Sequence, residues 1–166
     1  LTACETSSCT ITNENGSYTG GIAGLTGATV HGNFSKCTLS GKKYVGGIVG
    51  SGVQENVDGS GSAVSWNYSL VDITDCQQYQ GAISGSDTGT FEHNYYVSDD
   101  LPGINRQGYT GRAEPISYAE LLTLPDLPES MKSFTLTFVA DDKTVLSRAF
   151  NYGDSIDESD IPEPPA

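Results

Sequence analysis

The sequence predicts an all-β protein: a parallel β-helix, or β-solenoid, of about three to four short coils, capped by a short helix and followed by a small β-hairpin. Three observations predict it. A seven-residue motif recurs in register, the segments around it are short and rich in Val, Ile, Thr and aromatic residues between glycines, and the repeats show no helical periodicity.

The motif is YxGxIxG, read as YTGGIAG from Tyr18, YVGGIVG from Tyr44 and YQGAISG from Tyr79. Tyr18 and Tyr44 are 26 residues apart and Tyr44 and Tyr79 are 35 apart; an eight-residue insertion in the loop SGVQENVDGSGSA after Gly50 nearly restores one period. The second half of each unit also repeats. VHGNFSKCTL from Val30, VSWNYSLVDI from Val64 and FEHNYYVSDD from Phe91 place Asn33, Asn67 and Asn94 in register, each followed by an aromatic, Phe34, Tyr68 and Tyr95. SSCTI from Ser7 matches SKCTL from Ser35, so the chain opens inside an earlier copy. A unit of this size holds several short strands and buries an inner face only by stacking on its neighbours.

Strand alternation then assigns faces. Ile22, Ile48 and Ile83 are the same in all three copies and are expected inside. Thr19, Val45 and Gln80, and again Ala23, Val49 and Ser84, vary and fall on the opposite parity. The glycines mark turns and close backbone approaches. Equivalent residues stacked at roughly 4.8 Å should form ladders: an amide ladder of Asn33, Asn67 and Asn94, a ring stack of Phe34, Tyr68 and Tyr95, and a column with Cys37 between Cys9 and Val71. Tyr18, Tyr44 and Tyr79 share the isoleucine parity and are expected in the core. The other reading of that column is an outward aromatic strip for sugar rings, with Trp66 nearby as a further platform.

These copies resemble the GLUG repeats of large bacterial surface proteins, whose consensus runs through a Gly-Gly-Ile-Val-Gly core, over roughly residues 5 to 98. The resemblance implies a secreted or wall-attached protein, most often Gram-positive, with the repeats as stalk or adhesive array and a host or microbial surface glycan or protein as partner. It brings no catalytic residues. The repeat region is taken as residues 1–100.

Residues 101–133 read as cap and linker. Ser117 with Glu120 forms a capping box, and YAELLTL before Pro125 predicts a helix over 118–124 whose task is to cover the end of the repeat stack. Within 134–166, FTLTFVADDKTVLSRAF predicts a hairpin turning at Asp141-Asp142-Lys143, followed by an Asn-Tyr-Gly-Asp turn and an acidic, proline-rich tail. This part resembles the opening of the Listeria-Bacteroides repeat of internalin B type, a β-grasp-like module. That module normally continues into an aromatic strand ending near Gly-Trp, whereas this chain stops at Ala166, so the match is partial.

Acidic residues outnumber basic ones 21 to 8, for a formal charge of −13. No basic patch can track a phosphate backbone, so nucleic acid and anionic membrane are not expected partners. No apolar run is long enough to span a bilayer. A start at Leu1, without a leader and inside a repeat, leads us to expect a piece of a larger protein. The four cysteines fit neither a disulfide scaffold nor a common zinc pattern; Cys9 and Cys37 are expected to be reduced, small hydrophobes, and Cys4 and Cys76 have no assigned role.

Asp72, Asp75, Asp87 and Glu92, with His93, are the candidate acids and base for sugar chemistry. Only Lys36, Lys42 and Lys43 precede residue 99 as basic residues, so the charge stabilisation that lyase chemistry requires is not provided. His31 and His93 occupy non-equivalent repeat positions, and the Asn33 and Asn67 sequons follow from the ladder. The expectation is a non-enzyme without cofactor or metal. Two function classes remain: a stalk, scaffold or adhesin segment, and a carbohydrate-binding β-helix in which the Ser51–Ala63 insertion forms a groove-side loop.

Overall fold

A computed structural model describes residues 1–54, 61–105, 110–151 and 154–163. The centre of the insertion loop, residues 152 and 153 of the predicted turn and the last three residues lie outside the described residues. The chain divides into two compact units, Leu1–Asp126 and Leu127–Ala166.

The first unit is built of parallel strands in three sheets. In chain order they are β1 (Glu5–Gly20), β2 (Ala23–Thr26), β3 (Thr29–His31), β4 (Phe34–Gly46), β5 (Val49–Gly52), β6 (Ala63–Ser65), β7 (Tyr68–Ser69), β8 (Asp72–Gly81), β9 (Thr90–Glu92), β10 (Asn94–Tyr96) and β11 (Ala113–Pro115). A six-stranded sheet runs β1-β4-β7-β10-β11, with β8 also pairing β4; β3-β6-β9 form a second sheet and β2-β5 a third. Each pairing among β1 to β10 joins the same segment of successive repeats. Val30 sits beside Val64 and Val64 beside Phe91, while Tyr68 lies between Phe34 and Tyr95. Past the second copy the third sheet is continued by single bridges, Val49 to Ser84 and Ser84 to Ile104.

Two apolar clusters fill the interior. One gathers Val30, Ile48, Val49, Val64, Ile83, Phe91 and Ile104; the other gathers Leu39, Val45, Cys37 and Val71, with Cys9 against them. Ile48 and Ile83 are fully buried, and Ile22 packs against the first cluster at its edge.

Alternation fails at two places, for one reason. Val45, Val49 and Ser84 are completely buried and Thr19 nearly so, although parity placed them outside. Tyr18, expected inside, is 40% exposed, and Tyr44 and Tyr79 are half-buried. The three tyrosines have φ of 69°, 57° and 67°. A left-handed residue reverses the direction of the next side chain, so counting by twos through it inverts the assignment. The chain then turns at the two glycines, and Ile48 and Val49 both reach the core.

The glycines of the motif are close-approach positions. A Cβ on Gly47 would run into the carbonyl of Ala82 in the next repeat, and one on Gly50 would lie 2.8 Å from Thr19 N in the preceding one. Only a residue without a side chain lets the backbones stack this tightly.

A buried amide ladder runs through the stack. Asn33 Nδ2 donates to Asn67 Oδ1 and Asn67 Nδ2 to Asn94 Oδ1, both at 2.8 Å. Each of these oxygens also accepts the backbone N–H of the preceding asparagine. The second amide hydrogens go to the Val30 and Val64 carbonyls. The ends close on backbone: Cys4 N donates to Asn33 Oδ1, and Asn94 Nδ2 donates to Arg112 O.

The predicted helix is shorter than expected. The Ser117–Glu120 capping box is present, but α1 spans Tyr118–Leu121, and Thr123 and Leu124 continue only as tight turns before Pro125. At the β10 edge of the last repeat it is β11 that pairs. Ile116, Glu120, Leu124, Pro125 and Asp126 line hollows shared with Phe34, Trp66, Tyr68 and Tyr95 of the stack.

In the second unit, α2 (Glu129–Lys132) precedes an antiparallel hairpin of β12 (Ser133–Ala140) and β13 (Lys143–Asn151). Ala140 pairs with Lys143, so the loop is Asp141–Asp142, both left-handed as a two-residue hairpin turn requires. A 3₁₀ turn at Glu158–Asp160 is tied to the hairpin by Arg148 and Asp160, 2.8 Å apart. That guanidinium and the Asp157 N–H hold the Asp160 carboxyl below its ordinary range.

Two substitutions test this account. Asn67→Ala leaves the buried Asn33 N–H and amide donors without their acceptor and takes one donor each from Asn94 Oδ1 and the Val30 carbonyl, and should cost on the order of 3–5 kcal/mol in chemical denaturation. Thr19 Oγ1 is buried without a hydrogen-bond partner, and Thr19→Val, matching Val45 beside it, should raise stability by about 1 kcal/mol.

Candidate functional site

Two aromatic flanks emerge from the repeat. The first is the tyrosine column. Tyr18 and Tyr44 stack at 5.1 Å and 5°, Tyr44 and Tyr79 at 4.9 Å and 22°. Lys43 Nζ lies 4.8 Å from the Tyr44 centroid and 5.3 Å from that of Tyr79, a cation–π contact with both rings. Parallel stacking has a functional cost. Both faces of Tyr44 are covered by its neighbours, so this ring offers a ligand its edge and hydroxyl rather than an open face on which a sugar stacks.

The second flank comes from the residues around the ladder. Phe34, Tyr68 and Tyr95 stack at 5.2 and 5.6 Å. Burial, then the neighbouring Tyr95, pushes the Tyr68 hydroxyl above its ordinary pKa. Trp66 does not join the tyrosine column; it stacks on His93 at 4.7 Å and tilts against Tyr95 at 6.4 Å.

The residue just before each asparagine, with Ala3 before Cys4 at the equivalent place in the first layer, controls this flank. Ala3, Gly32, Trp66 and His93 have φ of 52°, 65°, 55° and 52°. The left-handed conformation turns their side chains out while the next residue's amide enters the ladder. Trp66 is 44% exposed. His93 covers one of its faces. On the other side the corresponding position is Gly32, and a Cβ there would meet nothing within 4 Å.

The resulting cleft has a volume of about 420 Å³. Its walls are Trp66, Tyr68, Phe34 and Gly32 on the stack, Leu124, Pro125 and Asp126 opposite, and His31 at the rim. A smaller hollow of about 260 Å³ continues past Trp66 to Tyr95, Ile116 and Glu120. His31 Nδ1 is 3.1 Å from Ser65 Oγ. The Glu120 carboxylate accepts from Ser117 N and Oγ, which hold its pKa below the usual range.

Of the residues predicted as a glycan platform, the structure brings Tyr18, Tyr44 and Tyr79 together and places Trp66 apart. Phe34, Tyr68 and Tyr95, read only as a ladder, line the cleft. Gly32, His31, Leu124 and Asp126 were not anticipated. Their signal was in the alignment of Gly32, Trp66 and His93: a glycine sharing a repeat position with bulky residues marks a left-handed site.

The candidate acids are dispersed. Asp72 and Asp75 are exposed on β8, Glu92 is exposed on β9 in a different sheet, and Asp87 is exposed in the loop between. His31 pairs with Ser65 and Ser65 with Glu92 across the β3-β6-β9 sheet, whereas His93 lies in the Trp66 column. No group of three or more potential metal ligands occurs among the described residues. No helix among them is long and apolar enough to cross a membrane.

Cys9 and Cys37 are in register and are free thiols with their sulfurs 2.8 Å apart. Burial and the Cys37 contact push Cys9 up to about 11, and burial raises Cys76 as well. The thiolate is the reacting form, and both groups are protonated at neutral pH. Iodoacetamide at pH 8 should therefore label Cys9 and Cys76 more slowly than free cysteine, read by peptide mapping; labelling at the free rate would contradict the burial described.

Comparison with family models, curated proteins and solved structures returned no match for this chain.

Proposed function

We propose that residues 1–126 form a short parallel β-solenoid of GLUG type, and that the chain is a non-catalytic stalk, scaffold or adhesin segment of a larger extracellular bacterial surface protein. The observation that carries this reading is the register. Every strand pairing between the first three copies joins equivalent repeat positions. Such a stack contacts only its neighbours and lengthens by adding copies, the property a display element needs.

The chemistry of the surface supports the same reading. The candidate carboxylates are spread over β8, β9 and the loop between them, and the asparagine ladder is buried and spent on holding repeats together. The hairpin from Ser133 to Asn151 fits the opening of a β-grasp-like module appended to the array. One observation favours a second, carbohydrate-binding role: the uncovered face of Trp66 in its cleft.

Two measurements test the proposal. Three extra copies of residues 18–43, inserted after Lys43, should lengthen the particle by roughly 14 Å in small-angle X-ray scattering at about 4.8 Å per added layer, with melting temperature unchanged or higher. An unchanged maximum dimension would rule out the solenoid. Protease treatment of intact source cells should remove the protein; full protection, with release only on lysis, would rule out the surface location.

A further inference from the structure

We propose that the slot over Gly32, faced by Trp66, binds one pyranose ring of a neutral oligosaccharide. The inference rests on the cleft itself and is independent of where the protein resides.

The slot is a missing member of an outward column. Ala3, Gly32, Trp66 and His93 share the left-handed conformation that projects a side chain from the stack. Successive layers are about 4.8 Å apart, so Ala3 and Trp66, two layers apart, leave roughly 9.6 Å between them. One flat ring fills that interval at the spacing at which His93 already covers the far face of Trp66, 4.7 Å. The ligand would complete the column where the sequence supplies no side chain. The volume of about 420 Å³ falls within the range of ligand pockets, about 300–1,000 Å³.

The lining selects the kind of ring. Tyr68 is stacked between Phe34 and Tyr95 and so turns its edge, not a face, toward the cleft. Ring edges carry the positive part of the aromatic quadrupole. Quaternary ammonium ligands are typically held in cages of several aromatic faces, whereas the face brought to this slot is the Trp66 indole. An anion is disfavoured by the Asp126 and Glu120 carboxylates and by the absence of Lys and Arg among the described residues that line both hollows. A pyranose fits what remains: an apolar C–H face for the indole, and peripheral hydroxyls for the Asp126 carboxylate and the His31 ring. Its neutrality also suits a chain of net charge −13.

Trp66 is the single tryptophan of the chain, so its fluorescence reports on this site alone. The full chain is titrated with cellohexaose, chitohexaose, xylohexaose and mannohexaose, with tetramethylammonium as the cationic comparison. The expected result is a saturable change in Trp66 emission with at least one oligosaccharide, insensitive to salt, and none with tetramethylammonium. Gly32→Phe fills the slot and should weaken binding at least tenfold while melting cooperatively; Trp66 and His93 show that this position accepts large left-handed residues. Should Gly32→Phe not fold, Trp66→Ala is measured by calorimetry and should show the same loss. Flat emission with all four sugars, an equal or stronger response to tetramethylammonium, or full-affinity sugar binding by a folded Gly32→Phe or Trp66→Ala protein would each overturn the assignment.

Discussion

A buried primary amide needs partners for two donors and an acceptor oxygen, and the stack of parallel repeats is arranged around meeting that need three times. Asn33, Asn67 and Asn94 are wholly inaccessible to solvent. Each is satisfied by an adjacent asparagine and by a carbonyl or N–H of a neighbouring layer. Shifting one repeat by a single residue would strand these groups in an apolar interior at about 1–3 kcal/mol each. Hydrophobic contacts among Val, Ile and Leu tolerate sliding far better. The amides therefore supply register, and the apolar clusters supply most of the driving force.

Register has consequences on the surface. Because equivalent positions are held in line, any outward residue type that recurs becomes a column, and any exception becomes a gap or a protrusion. The tyrosines recur and close on one another. The position before each asparagine does not recur, and its glycine, tryptophan and histidine, with Ala3 before Cys4 in the layer ahead of them, produce an exposed indole beside an empty site. The same regularity that builds a scaffold thus creates a distinctive place on it.

Much of this was legible beforehand. The repeat, the parallel stacking of Phe34, Tyr68 and Tyr95 and the pairing of Cys9 with Cys37 follow from identity at equivalent positions; the sequence places the hairpin turn at Asp141-Asp142-Lys143, and Lys143 proves to be the first residue of the return strand, paired with Ala140. The orientation of Tyr44 was not legible. Alternation presumes an unbroken strand, and the left-handed residue that breaks it is a tyrosine, a type with no intrinsic preference for that conformation. Neighbouring layers impose it at roughly 1–2 kcal/mol per residue, offset in part by the ring stack that it permits. The path of residues 116–126 was equally hidden, because a capping box states where a helix begins and not what it lies against.

By itself the sequence determined what repeats, which segments pair and which amides align, since each of these is a relation between a residue and its copy. The tertiary structure alone decided which way the tyrosines and Trp66 face and that Leu124, Pro125 and Asp126 close a cleft against them. Those outcomes depend on backbone conformations set by contact with adjacent layers, and on a non-repeating segment whose course no internal copy records.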